Sequence, residues 1–119
     1  SFSPIWSAMP YQAQHLVQPP IRAEVDCFSG ATLLEFGTPW CGFCLAAQPL
    51  IEQALQAYGA VSHLKVEDGP GQPLGRSYRV KLWPTLVFLR NGQEVARLVR
   101  PQDAQEIADA LQQIGSVPH

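Results

Sequence analysis

An α/β fold, with one central mixed sheet and helices on its faces, is what this sequence of 119 residues predicts. Three stretches carry the prediction. Thr32 to Phe36 is a short unbroken run of apolar and β-branched residues after the Ser29-Gly30 turn signal, which reads as a fully buried strand. A helical pattern starts soon after it, at Cys41. Thr85 to Arg90 and Gln93 to Val99 flank Asn91-Gly92, a pair that supplies the positive φ angles of a two-residue hairpin turn. The order strand, helix, strand, helix, hairpin, helix requires a right-handed crossover between parallel strands, with helices covering the sheet.

Prolines 4, 10, 19 and 20 and the scattered aromatics Phe2, Trp6 and Tyr11 make Ser1 to Pro20 an irregular arm, with one short helix expected near Tyr11 to Val17. From Cys41 to Tyr58 the apolar residues at 44, 47, 50, 51, 54, 55 and 58 keep helical spacing, and Gly59 supplies a stop signal. Pro49 inside this helix removes a backbone hydrogen bond and crowds the preceding turn, so a kink is expected there. Val61 to Glu67 reads as a second strand, followed by a connection rich in glycine and proline and a short helical turn near Leu74 to Tyr78. Asp103 to Gln113 puts Ala104, Ile107, Ala108, Leu111 and Ile114 on one face, with Asp103 and Glu106 favouring its N-terminus and Gly115 ending it. A single domain over 1–119 is expected, with an arm over 1–20 and a core over 31–114.

Composition narrows the functional classes. A content of 46% hydrophobic and 15% charged residues excludes a disordered chain. Three cysteines, an odd number, do not make the disulfide framework of a small secreted scaffold. No apolar run approaches the ~18 to 20 residues of a membrane span. A net charge of -2 argues against nucleic acid as a partner. The expected setting is therefore a cytoplasmic monomer off the membrane, with a signal peptide removed before Ser1 left open. Six of the eight basic residues, Arg76, Arg79, Lys81, Arg90, Arg97 and Arg100, fall in a segment whose only acid is Glu94. They read either as solvated strand ends or as a positive rim around a site.

Cys41 and Cys44 form a Cys-x-x-Cys pair, which serves either as half of a zinc site or as a redox dithiol. Structural zinc needs four ligands, and the remaining supply, Cys27, His15, His63 and His119, shows no paired ligand spacing. The redox reading fits better. A strand running into a helix whose first turn holds the pair aims Cys41 at unpaired N–H groups and the positive end of the helix dipole, which favour a thiolate. Cys41 is thus expected exposed and reactive, Cys44 buried and less ionised, and Cys27 a small buried apolar residue.

Glu35-Phe36, Trp40-Cys41-Gly42-Phe43-Cys44, Pro49 in the helix, Trp83-Pro84-Thr85 before an apolar strand, Asn91-Gly92 and the closing amphipathic helix together resemble a thioredoxin, over about positions 31 to 114. The resemblance implies a thioredoxin fold in which Pro84 is a cis proline beside the dithiol, and the backbone next to it pairs with an extended substrate segment. It implies a thiol-disulfide oxidoreductase acting on protein disulfides, with no cofactor beyond the Cys41–Cys44 disulfide itself. Cys41 would attack and Cys44 resolve. Glu35 maps onto a buried acid that serves Cys44, and Lys65 onto a lysine near it. Trp40, Gly42, Phe43, Trp83, Pro84 and Arg100 would border the substrate. The implied partners are protein disulfides and an upstream reductase or thiol donor. Two other readings stay open: a non-catalytic thioredoxin-fold binding module whose cationic segment holds an acidic partner, and a zinc-stapled interaction domain.

The sequence also departs from the family pattern. Glu35 stands where aspartate is usual, and Leu45 where a basic residue commonly follows the second cysteine. Trp83 replaces a smaller aliphatic residue. Arg100-Pro101 stands where a glycine typically lets a partner approach. Phe43 stands where proline is usual and restores an N–H near the helix start, one more donor for the Cys41 thiolate.

Overall fold

The computed structural model describes residues 11–115; Ser1 to Pro10 and His119 lie outside them. The strands β1 (Ala31–Gly37), β2 (Ser62–Glu67), β3 (Thr85–Arg90) and β4 (Gln93–Val99) form one sheet in the order β2-β1-β3-β4. β1 runs parallel to β2 and antiparallel to β3, and β3 is antiparallel to β4. The helices are α1 (Arg22–Asp26), α2 (Gly42–Leu55), α3 (Pro73–Ser77) and α4 (Ala104–Ile114).

β1 is buried along its whole length because both of its faces are covered. Successive side chains alternate between the faces. Ala31 and Leu33 pack with Ala47 and Ile51 of α2 and with Ile107 and Leu111 of α4. Leu34 and Phe36 pack with Val25 of α1, Leu64 and Val66 of β2, and Leu74 of α3. Each fully buried aliphatic or phenyl group contributes about 1.5 to 3 kcal/mol. Glu35 falls in the alternation on the same face as Leu33, the face that α2 covers.

The hairpin turn has the positive φ angles that Asn-Gly signals, 52° at Asn91 and 77° at Gly92. Asn91 also ties the turn to β1, donating its N–H to Gly30 O and accepting the Gly30 N–H on Oδ1, both at 2.8 Å. Leu89 pairs with Glu94 but Phe88 with Ala96, so Val95 bulges out of the ladder. α4 starts with a reciprocal cap: Glu106 N–H donates to Asp103 Oδ1 at 2.8 Å, and Glu106 Oε2 accepts from Asp103 N–H at 3.3 Å.

Several elements differ from expectation. α2 ends at Leu55, a turn before Tyr58, although Tyr58 keeps the apolar spacing. Gln56 and Tyr58 N–H groups turn back on Gln53 and Leu55 carbonyls, 3.3 and 3.0 Å away, and this tightened turn is what buries Tyr58. Gly59 is therefore not the cap of the helix. Gly115 ends α4 as expected, with extended backbone, φ -138°. Tyr11 to Val17 is not helical. Its backbone is satisfied by β2 instead: Leu16 N–H donates to Lys65 O at 2.8 Å and Ala13 O accepts from Lys65 Nζ at 3.0 Å. The short helix of this region is α1, where the Glu24 carboxylate accepts the Ile21 N–H at 3.0 Å. Cys27 is exposed and not buried, because it ends this one-turn helix, which buries only Val25.

Candidate active site

β1 delivers the chain to a short loop and then to α2, whose N-cap is Cys41. Its extended backbone and sulfur take the place of a capping oxygen: Cys44 N–H donates to Cys41 Sγ at 3.2 Å. The N–H that reaches the sulfur is that of Cys44, not of Phe43. Both thiols are free. Cys41 is only 8% exposed, against the expectation of an open thiol, because its sulfur is turned onto the helix end; Cys44 is 2% exposed. Burial pushes the Cys44 thiol up to about 12, with the Cys41 sulfur and the Glu35 charge acting in the same direction and a Thr38 backbone hydrogen bond against it. Cys44 therefore stays a thiol at neutral pH and needs a base to become a nucleophile.

Gly37, the last residue of β1, makes room for that sulfur. A Cβ built there stands 2.5 Å from Cys44 Sγ, so the residue must be glycine for a steric reason and not a conformational one. Sequence reading ended its strand at Phe36 and gave Gly37 no role. We expect Gly37→Ala to fold but to displace Cys44 and slow disulfide reduction about 10²-fold, the scale for a misplacement near 1 Å; insulin reduction beside a circular dichroism spectrum checks this.

Beneath the dithiol lies a buried polar network. Glu35 is 1% exposed, and both carboxylate oxygens are engaged, Oε2 with Gln48 Nε2 at 2.7 Å and Oε1 with His63 Nε2 at 2.8 Å. Gln48 Nε2 also donates to Cys44 O at 2.9 Å, linking the acid to Cys44 through one amide. Lys65 is near the acid but reaches it through Gln48, whose Oε1 accepts from Lys65 Nζ at 2.8 Å and from Tyr11 Oη at 2.9 Å. The basic side chain in contact with Glu35 is His63, which sequence reading had left to packing or solvent. Its signal was present: His63 and Lys65 are two apart in β2, hence on one face. A cavity of about 390 Å³ runs from Cys44 and Thr38 to His15 of the arm. Thr38 Oγ1 borders it, buried and without a hydrogen-bond partner among the described residues.

Around the dithiol, Trp40, Phe43, Leu45 and Leu82 are all at least half exposed. Gly42 opens α2 with nothing within 4 Å of where a Cβ would stand. The Trp40 and Trp83 rings meet edge to face at 5.7 Å, and Trp83 Nε1 donates to Asp68 Oδ2 at 2.8 Å. The Trp83–Pro84 bond is cis. Arg100 joins this loop to the dithiol: its N–H donates to Pro84 O at 2.9 Å, its Nε to Trp83 O at 2.8 Å, and its guanidinium lies 4.0 Å over the Phe43 ring.

The six clustered cations divide in two. Arg90 donates to Ile114 O, Arg97 pairs with Glu94, and Arg100 is held as described. Arg76, Arg79 and Lys81 form no ion pair among the described residues and, with Asp68, which accepts from Trp83 Nε1, line an open groove of about 440 Å³. Among the described residues, no three His, Cys, Asp or Glu side chains gather where they could hold one metal ion.

This arrangement has close counterparts. Reduced thioredoxin 2 of Pseudomonas aeruginosa PAO1 is 53% identical, with a TM-score of 0.78 over 87% of this chain and 96% of that one. Thioredoxin of Staphylococcus aureus is 31% identical over 84 residues, 70% of this chain and 81% of its own length. Human protein disulfide-isomerase A2 is 40% identical over 87 residues, 68% of this chain, but the chain spans only 17% of that longer protein. The thioredoxin family profile itself matches residues 15–113, so the likeness takes in the last arm residues as well as the sheet, and the chain belongs to the thioredoxin family.

Proposed function

We propose that the chain is a thiol-disulfide oxidoreductase of protein substrates. The observation that carries this is a free sulfur at the N-cap of α2 receiving the Cys44 N–H at 3.2 Å. Cys41 thiolate attacks a substrate disulfide, forming a mixed disulfide and releasing one substrate sulfur as thiolate. Cys44 then gives its proton to Glu35 and attacks Cys41 Sγ. The mixed disulfide breaks, its electron pair leaves on the second substrate sulfur, and Cys41–Cys44 is oxidised by two electrons. An upstream reductase or small thiol restores the dithiol, and the direction follows the redox poise. The reaction needs no cofactor. Trp40, Gly42, Phe43, Trp83 and Pro84 form the lip on which substrate rests, Arg100 fixes that lip, and Lys65 holds Gln48 against Glu35. One chain contains the whole site, which supports action as a monomer, and the odd cysteine count supports a reducing, cytoplasmic setting. The chain is expected to speed insulin reduction by dithiothreitol beyond the reagent alone; a non-catalytic binding module would leave the rate unchanged.

The groove of Arg76, Arg79 and Lys81 supports a preference for substrates with acidic segments beside the disulfide. Exposed charges act over a Debye length of about 8 Å at physiological salt, so they raise encounter rates more than they alter chemistry at sulfur. Peptides flanked by Asp or Glu should react several-fold faster than Lys-flanked ones at low salt, with the gap closing as salt is added. Equal rates at low salt would make these cations a solvated face.

A further inference from the structure

The arm docks on the polar network beneath the dithiol in a way that decides a proton position. Gln12 N–H donates to His63 Nδ1 at 2.8 Å. A neutral imidazole carries one N–H, so with Nδ1 accepting, the ring proton sits on Nε2, which faces Glu35 Oε1 at 2.8 Å. The other tautomer would set two N–H groups against each other at Nδ1 and a lone pair against the carboxylate at Nε2, with His63 fully buried and Glu35 1% exposed. Tyr11 fixes the plane of the ring by stacking on it, centroids 5.3 Å apart and planes 19° from parallel. Its hydroxyl and Lys65 Nζ both donate to Gln48 Oε1, which turns the Gln48 amide N–H toward Glu35 Oε2. Both acid oxygens thus accept from oriented donors, one from β2 and one from α2.

We propose that His63 is a positioning residue for Glu35, and that the arm, through Gln12 N–H, selects the tautomer in which it can be one. This rests on Glu35 serving as the base for Cys44. His63 does not carry the proton: the Cys44 S–H bond breaks, an O–H bond forms on Glu35, and the Nε2–H stays where it is, holding the carboxylate in place. The arm thereby governs the second half of the reaction, resolution of the mixed disulfide, and not the first.

Gln12→Pro removes the backbone donor to His63 Nδ1, and Gln12→Ala, which keeps that donor and loses only the side chain, is the control. In the reduced wild-type chain, ring nitrogen chemical shifts should report His63 protonated on Nε2; in Gln12→Pro that fraction should fall. Single-turnover kinetics should show resolution slowed about tenfold, less than the ~10² to 10⁴ of losing a base, with the initial attack by Cys41 unchanged. His63→Leu should slow resolution further, and His63→Gln, whose amide can still donate, should recover part of the loss. A wild-type ring protonated on Nδ1, or wild-type resolution rates in folded His63→Leu, would overturn the proposal. So would attack and resolution slowing together, which means a general disturbance of the dithiol. Failure of the underlying function looks different: the wild type itself would then reduce no disulfide, whatever its tautomer.

Discussion

Cys41→Ser is expected to abolish disulfide reduction and form no mixed disulfide, while Cys44→Ser accumulates mixed disulfides through Cys41. The asymmetry follows from where α2 begins. Cys41 is its N-cap and receives a backbone N–H on sulfur. Cys44 lies one turn in, 2% exposed, its thiol pushed up by burial. On the proposed roles the first begins an exchange and the second ends it. Incubation of each variant with an oxidised protein, followed by mass spectrometry without reductant, reads this directly; equal trapping by both variants would remove the assignment.

Glu35→Gln is expected to leave the attack by Cys41 nearly intact and to slow mixed-disulfide resolution by about 10² to 10⁴, the usual loss on removing a general base. The substitution also turns one acceptor into an NH₂ group facing the donors of His63 and Gln48. A buried donor without an acceptor costs about 1 to 3 kcal/mol, so the variant should be less stable as well. Rapid-quench measurement of the two half-reactions separates the effects, because lost stability does not select between them. Resolution that stays at the wild-type rate between pH 6 and 8 would leave Glu35 as packing alone.

Elements fixed by local chemistry were legible in the sequence. Asn91-Gly92 has few alternatives to a hairpin turn, and β1 announced its double burial by having no polar alternation. The dithiol at a helix start was legible for the same reason, since strand, loop and helix are adjacent in the chain. What stayed hidden depends on long-range packing. α1 is a single turn, too short for any periodicity, and the arm is extended because β2 offers it partners some fifty residues away, as from Gln12 to His63. The partner of Glu35 could not be chosen between His63 and Lys65. The two share a face of β2, and the β1–β2 register sets Lys65 opposite Glu35, yet Gln48 of α2 takes the lysine and leaves the acid to His63. The inward turn of the Cys41 sulfur likewise rests on one backbone hydrogen bond that spacing does not reveal.

The sheet has two outer strands, and the chain guards them by different means. β4 carries the Val95 bulge and the Glu94–Arg97 pair, which spoil it as a template for another strand. β2 has no bulge, and its outer edge is met by the arm, through the bond from Leu16 N–H to Lys65 O. Trimming the arm would therefore do more than loosen the site beneath the dithiol. It would bare backbone groups on the outer edge of a strand whose only charges are Lys65 and Glu67, and the shortened protein should self-associate along β2 more readily than the full chain.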